Sequence, residues 1–158
     1  MVNAPIMNAA DTVQGSMGEC YMTLDGRRIN LMQLVNISAN IEKTKEQVPI
    51  LGKVGKGNKS TGWSGSGSAT MHYGSPQLRK AFAEYAKTGK DFYFDIQLTN
   101  EDPTSTIGRQ TVILKECNMD SYLLAQLDTD SSYLDEDFDF TFEDFEIPEE
   151  FKDLEGTL

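Results

Sequence analysis

The sequence predicts a mainly β fold (α+β), a β-sandwich or barrel subunit with one packed helix and a long projecting hairpin. Three observations carry this expectation. Several long stretches alternate apolar and polar side chains with the period of a half-buried strand, one stretch alone combines helical spacing with boundary signals at both ends, and the connections are rich in Gly, Asp and Ser. With 158 residues the chain can bury one substantial core, so residues 1–158 are expected to form a single domain.

The centre of the pattern is residues 61–102. Trp63 and the Gly/Ser run from Ser64 to Ser68 lead into Ala69, Met71 and Tyr73, a strand whose glycines permit a bulge or the close approach of another backbone. A helix follows. Ser75 can cap it, Pro76 suits its first position, and Gly89 stops it. Leu78, Phe82 and Tyr85 form its apolar stripe, widened by Ala81 and Ala86, with Arg79, Lys80, Glu84 and Lys87 opposite. Phe92, Phe94, Ile96 and Leu98 then alternate with Asp91, Tyr93, Asp95, Gln97 and Thr99. Strand, helix and strand make a β-α-β core in which helix and second strand bury their apolar faces against each other.

Before this core, residues 1–18 are small, polar and aperiodic, and are expected to be a flexible arm. Cys20, Met22 and Leu24 alternate up to Asp25-Gly26, a pair that favours a tight hairpin turn because both positions tolerate φ > 0. The second arm carries Ile29, Leu31, Val35, Ile37, Ala39 and Ile41 on one face and meets no breaker before Pro49. Extended throughout, residues 29–48 would span on the order of 65 Å, more than a strand inside a small domain needs. The strand therefore bends or leaves the body. Residues 49–61 are expected to be a flexible basic loop, with Gly52, Lys53, Gly55, Lys56, Gly57, Asn58 and Lys59 and no acidic residue.

After the core, Glu101 to Gly108 contain the turn Asp102-Pro103, and Arg109 to Gln126 is extended, with Val112 and Leu114 opposite Thr111, Ile113 and Lys115. Asp128, Asp130, Ser131 and Ser132 make a polar turn. The last strand, Asp137 to Glu143, alternates Phe138, Phe140 and Phe142 with Asp137, Asp139, Thr141 and Glu143, and residues 148–158 form an acidic tail.

Charge and motif content narrow the function. The formal charge of −11 disfavours phosphate binding, which depends on Lys and Arg. Cys20 and Cys117 are too few for a disulfide framework or a metal site, and the N-terminus has neither a basic start nor an apolar run, so synthesis in a reducing cytoplasm without a signal peptide or membrane anchor is expected. No catalytic constellation emerges: His72 is the sole histidine and no motif sets a Ser or Cys beside it. In Gly52 to Ser60, Asn58 interrupts the Gly-Lys pair a phosphate loop requires. In the turn from Asp128, Tyr133 stands where a calcium loop needs glycine and Asp139 where it needs glutamate. Gly62 to Gly67 lacks the spacing of a nucleophile elbow. No cofactor, metal or enzymatic activity is expected.

What the pattern favours is assembly. An arm that outruns its own domain can add to a neighbour's sheet, and a basic tip on an acidic protein fits the carboxylates of another copy, such as those after Leu134. The run Gly18 to Gly26, the lysine-bearing glycine loop into Thr61-Gly62, the Gly-Ser-Gly-Ser-Ala-Thr strand, the helix ending Tyr85-Ala-Lys-Thr-Gly, the strand Tyr93-Phe-Asp-Ile-Gln and the ending Phe140-Thr-Phe-Glu-Asp-Phe-Glu-Ile-Pro-Glu together resemble the tail tube proteins of PBSX-type prophages and contractile phage tails. The resemblance runs over nearly the whole chain in order. It implies hexameric rings, stacked into a hollow tube around a continuous inner β-barrel, inside a contractile sheath. By that likeness the partners are further copies, sheath protein, tape-measure and baseplate proteins, and DNA passing through unbound if the particle is a phage. The loop around Lys53, Lys56 and Lys59 would reach an adjacent subunit or ring. The carboxylates of Asp91 and Asp95, or of Asp137, Asp139 and Glu143, would line the lumen or, alternatively, face the sheath. Two other roles stay open: a type VI-like or baseplate-initiator tube protein, and a monomeric β-sandwich with a small-ligand pocket lined by Trp63, Tyr73 and Tyr93.

Overall fold

The computed structural model describes residues 6–74 and 76–154, whose elements are strands β1 (Gly18–Leu24), β2 (Arg27–Asn30), β3 (Leu34–Val48), β4 (Gly57–His72), β5 (Phe94–Glu101), β6 (Arg109–Tyr122), β7 (Asp135–Phe142) and β8 (Asp144–Glu149), helix α1 (Gln77–Thr88) and a 3-10 turn at Ala9–Asp11. The mainly β fold with one α-helix is as the sequence predicts. The chain divides into two compact units, each built from separated segments: Met1–Met32, Phe94–Lys115 and Phe145–Leu158 in the first, Gln33–Tyr93 and Glu116–Asp144 in the second. The expected β-α-β core is thus divided, with β4 and α1 in the second unit and β5 in the first.

In the first unit β1 pairs antiparallel with β2 and with β5, and β6 lies beside β5 and is joined on its other side by β8. The β1–β2 turn is the expected one: Asp25 and Gly26 take φ values of 52° and 75°, both in the left-handed region a two-residue hairpin requires. Cys20, Met22, Leu24, Phe94, Ile96 and Leu114 are buried, and the buried hydroxyls of Thr99 and Thr111 satisfy each other at 3.1 Å. Residues 8–14, expected to belong to a flexible arm, are held to the turn that follows β5. Thr106 donates to the Asp11 carboxylate at 2.5 Å, and the Gln14 N–H donates to Asp102 at 3.0 Å. The Thr104 hydroxyl and N–H also donate to Asp102, and with Gln14 they hold its carboxyl below the usual carboxylate range. Residues 1–5 lie outside the described residues. Residues 144–149, in part expected as an acidic tail, are instead β8; Pro148 is tolerated as the penultimate residue of a short strand that lies off the main path of the sheet.

The long second arm breaks at 31–33. Leu31 is buried and its N–H bonds to Cys20 O at 3.0 Å, which keeps β2 with β1, whereas Gln33 O accepts the His72 N–H at 2.9 Å and starts β3 alongside β4. In the second unit the sheet runs β6, β7, β4, β3, all antiparallel, with β3 at the edge. Its register opposes Phe138 to Ala69, Phe140 to Gly67 and Phe142 to Gly65, and all three rings are buried. The β4 glycines are therefore seats for aromatic rings. A Cβ on Gly65 would overlap the Phe142 ring; one on Gly67 would overlap Phe140 and lie 2.6 Å from Ser38 O. In β6, Leu114, Cys117 and Met119 are all buried, which strict alternation forbids, and Glu116 at φ 52° absorbs the extra residue as a bulge.

Helix α1 begins at Gln77 with Pro76 at the capping position, and Ser75, the expected cap, lies outside the described residues. Its C-terminus is as expected, with Gly89 left-handed at φ 76° and its N–H bonded to Tyr85 O at 2.8 Å. Leu78 is buried and Ala81 and Phe82 half-buried, but Tyr85 and Ala86 are exposed, so the packed stripe covers only the first two turns. Substituting Gly67→Val should destabilise the protein by about 2 to 4 kcal/mol, because neither a ring nor a backbone carbonyl can yield to the new methyls. Urea unfolding of the variant against wild type measures this, and an unchanged midpoint would refute the close fit.

Candidate assembly surfaces

The β3–β4 hairpin has fifteen residues in one strand and sixteen in the other, and beyond Ile41 and Gly65 nearly every residue of both is exposed. Its connection is shorter than the sequence implied. Gly52, Lys53, Gly55 and Lys56 lie in the turn, but Gly57, Asn58 and Lys59 belong to β4, opposite Val48, Gln47 and Glu46. Strand pairing continues because alternate β3 and β4 side chains meet no obstacle in solvent, and Gly52 at φ 85° with the Lys53 N–H bonded to Ile50 O makes the tip tight. From Glu42 to Lys59 the hairpin carries five lysines against two glutamates. Apolar residues are uncovered along it: Val35, Ile41, Val48 and Trp63 on the strands, and Ile50, Leu51 and Val54 at the tip. The tip residues escaped sequence reasoning, although three aliphatic side chains set among Gly and Lys were a legible signal.

One face of the second unit's sheet is polar across its strands. Asn36, Thr70 and Asp137 share one row, and Ser38, Ser68 and Asp139 the next. Thr70 donates to Asp137 at 2.7 Å, the Ser38 and Ser68 hydroxyls lie 3.5 Å apart, and His72 Nδ1 lies 2.8 Å from the Asp135 carboxylate. A shallow concavity on this face is lined by Asn40, Ser66, Ser68, Asp120 and Asp139. Small hydroxyl and carboxylate groups thus cover this surface. Asp137 and Asp139 are brought together here. Glu143 follows directly after β7 and is exposed, Asp91 accepts from the Asn118 amide at 3.0 Å ahead of β5, and Asp95 sits on β5 opposite Thr23 in the first unit.

Beneath the opposite face lies a buried charge the sequence reading missed. Glu136 is fully buried and takes the Arg79 guanidinium on one oxygen and the Tyr122 hydroxyl, at 2.8 Å, on the other. Arg79 also donates through Nε to Leu124 O at 3.2 Å, and its guanidinium stacks 4.3 Å over Tyr73. Burial and the neighbouring Glu136 raise the Tyr122 phenol well above its usual range. Glu136 shares the period of Phe138, Phe140 and Phe142, so the signal was one residue upstream of the aromatic stripe. The proposed small-ligand pocket does not form: Trp63 sits on β4 against Phe142, and Tyr73, ten residues on, lies on the order of 30 Å away along the same strand direction, under Arg79. Among the described residues no group of three His, Cys, Asp or Glu could hold a metal ion, and no helix is long and apolar enough to cross a membrane.

Residues 6–149 match the phage tail tube protein family. The chain belongs to this family. It is 37% identical over 147 residues to the phage-like element PBSX protein XkdM of Bacillus subtilis, covering 93% of this chain and 97% of that one. Solved tail machines share the fold of this tail tube protein at much lower identity. A chain of the anti-feeding prophage baseplate, solved with six-fold symmetry, superposes with a TM-score of 0.62 at 12% identity over 92% of this chain and 97% of its own. A chain of the sheath–tube complex of an extracellular contractile injection system in its extended state gives 0.61 at 11% identity over 81% and 86%.

Replacing Arg79→Met leaves the Glu136 carboxylate buried and unpaired, and should cost about 3 to 5 kcal/mol. The double variant Arg79→Met with Glu136→Gln should be less destabilised than Arg79→Met alone. Chemical denaturation of the single and double variants tests the coupling, and simple additivity would show that the pair is not a unit.

Proposed function

We propose that this chain is the structural, non-catalytic subunit of the inner tube of a contractile phage tail or phage-tail-like particle, self-assembling into stacked hexameric rings inside a sheath. The observation that carries this is the β3–β4 hairpin: a long edge strand with unpaired backbone groups, uncovered apolar side chains and a surplus of lysines on an acidic protein. Such a strand is a ready template for pairing with another chain. Membership of the tail tube family supports the role, and the likeness in fold to chains of a six-fold baseplate and of a sheath–tube complex supports the ring and the sheath and baseplate partners.

The polar sheet face supports an assignment of the lumen. We infer that Asp137 and Asp139, with the Ser and Thr rows beside them, face the channel, where fixed negative charge and the lack of Lys or Arg in those rows repel a nucleic-acid backbone and let it slide. The uncovered apolar residues of β3 are then left for contact between subunits.

Electron microscopy of the purified protein over a range of concentrations should show hollow tubes or stacked rings of uniform width. Replacing residues 50–56 by a two-residue Asn-Gly turn should leave only dispersed subunits. Dispersed wild-type subunits at every concentration, even with sheath protein added, would defeat the proposal. Tubes carrying Asp137→Lys and Asp139→Lys should keep their width and retain DNA that wild-type tubes release on washing; equal retention would place those residues elsewhere than the lumen.

A further inference from the structure

We propose that the hairpin tip, residues 50–56, docks on the β6–β7 loop, residues 123–133, of a second copy of this chain. The inference rests on the tube reading above and names the two surfaces that meet. Each surface joins large exposed apolar side chains to one sign of charge, and the signs are opposite. At the tip, Leu51 and Val54 are as exposed as in an extended peptide, at 103% and 108%, with Ile50 beside them and Lys53 and Lys56 between and after them. On the loop, Leu124, Leu127 and Tyr133 are 76%, 91% and 68% exposed, and Asp128 and Asp130 stand among them. Among the described residues these side chains stay largely uncovered, Tyr133 meeting only the edge of the His72 ring, so the apolar surface is left for another molecule.

Both surfaces are held ready. At the tip, the Lys53 N–H closes a turn on Ile50 O at 3.2 Å. At the start of the loop Arg79 Nε donates to Leu124 O at 3.2 Å and the Gln126 amide donates to Asp135 O at 2.5 Å, and just past its end the Tyr73 N–H donates to Leu134 O at 2.9 Å, so both ends are tied to the body of the unit. Asp128 accepts the Asp130 N–H at 3.0 Å and the Ser131 hydroxyl at 2.9 Å. The Ser131 hydroxyl and the Asp130 N–H hold its carboxyl below the usual carboxylate range, which favours the charged form facing a basic partner. Backbones fixed before contact lose little entropy on docking, while their apolar side chains still gain the full burial. Made in one direction from copy to copy, a tip-to-loop contact is head to tail, the kind that closes a ring or extends a stack. This gives the Arg79–Glu136 cluster a second consequence: it sets the position of the loop that receives the neighbour.

Cysteine cross-linking between two populations of full-length chain tests the contact directly, since Leu51 and Leu127 are surface positions whose replacement spares the core and the native Cys20 and Cys117 are both buried. Leu51→Cys chains mixed with Leu127→Cys chains under mild oxidation should give a disulfide-linked heterodimer, while Leu51→Cys mixed with Ile147→Cys should not. Lys56→Glu and Asp130→Lys should each raise the concentration needed for assembly about tenfold, and the chain carrying both should recover most of that loss. Tubes that form without the 51–127 cross-link would overturn this docking and leave the tube reading standing. A cross-link without tubes would support the docking and count against the tube. Neither tubes nor cross-link would remove both.

Discussion

Phe138, Phe140 and Phe142 lay their rings over Ala69, Gly67 and Gly65, and the second unit depends on that fit. Glycine is a poor strand residue because it loses more backbone entropy than any other on ordering and offers no side chain to pack. Here the rings occupy the space the missing Cβ atoms leave, and each buried phenylalanine contributes about 1.5 to 3 kcal/mol. The fit also fixes register. A slip of one residue would set Ser66 and Ser68 under the rings and drive Asp137 and Asp139 into the core. The polar sheet face is therefore a consequence of the aromatic one, and the two cannot be chosen separately.

The same stripe continues to β3, where Ile37, Ala39 and Ile41 stand opposite Ala69, Gly67 and Gly65, but there the cover runs out and Ile41 is half exposed. An apolar face that reaches a sheet edge and stays uncovered marks a place for another chain to pair. The hairpin extends this condition outward to the tip at Leu51 and Val54. Packing inside the unit and unfinished packing at its edge thus come from one pattern, continued beyond the point where the chain can bury it.

The Arg79–Glu136 pair works differently. A buried ion pair is seldom a strong source of stability, but losing one partner is costly, which makes the arrangement hard to vary. It joins the first turns of α1 to β7 and, through Leu124 O, to the loop beyond β6. Phe82 and Phe92 add an edge-to-face contact on the same helix. With Tyr85 turned out to solvent, the helix is held by its N-terminal half, and its apolar spacing alone overstated how much of it is packed.

Much of this was legible in the residues. Alternation gave most strands, Asp25-Gly26 gave the first hairpin, Gly89 gave the end of the helix, and the spacing of the last strand separated an aromatic side from a carboxylate side. Those features depend on neighbours within a few positions, where steric and burial preferences act on the local chain. Other features depend on partners far away in sequence. The break at 31–33 follows from a bond between Leu31 and Cys20, and the continuation of β4 through Gly57 to Lys59 follows from pairing with β3. The bulge at Glu116 and the burial of Glu136 were likewise hidden, because a carboxylate is placed inside only by the arrival of a guanidinium from another element. The sequence by itself determined the pattern of faces, the turns and the family likeness, since these are written in spacing. Only the tertiary structure decided where strands end, which charge is buried and which apolar residues are left uncovered, because each of those is settled by what the rest of the chain brings within reach.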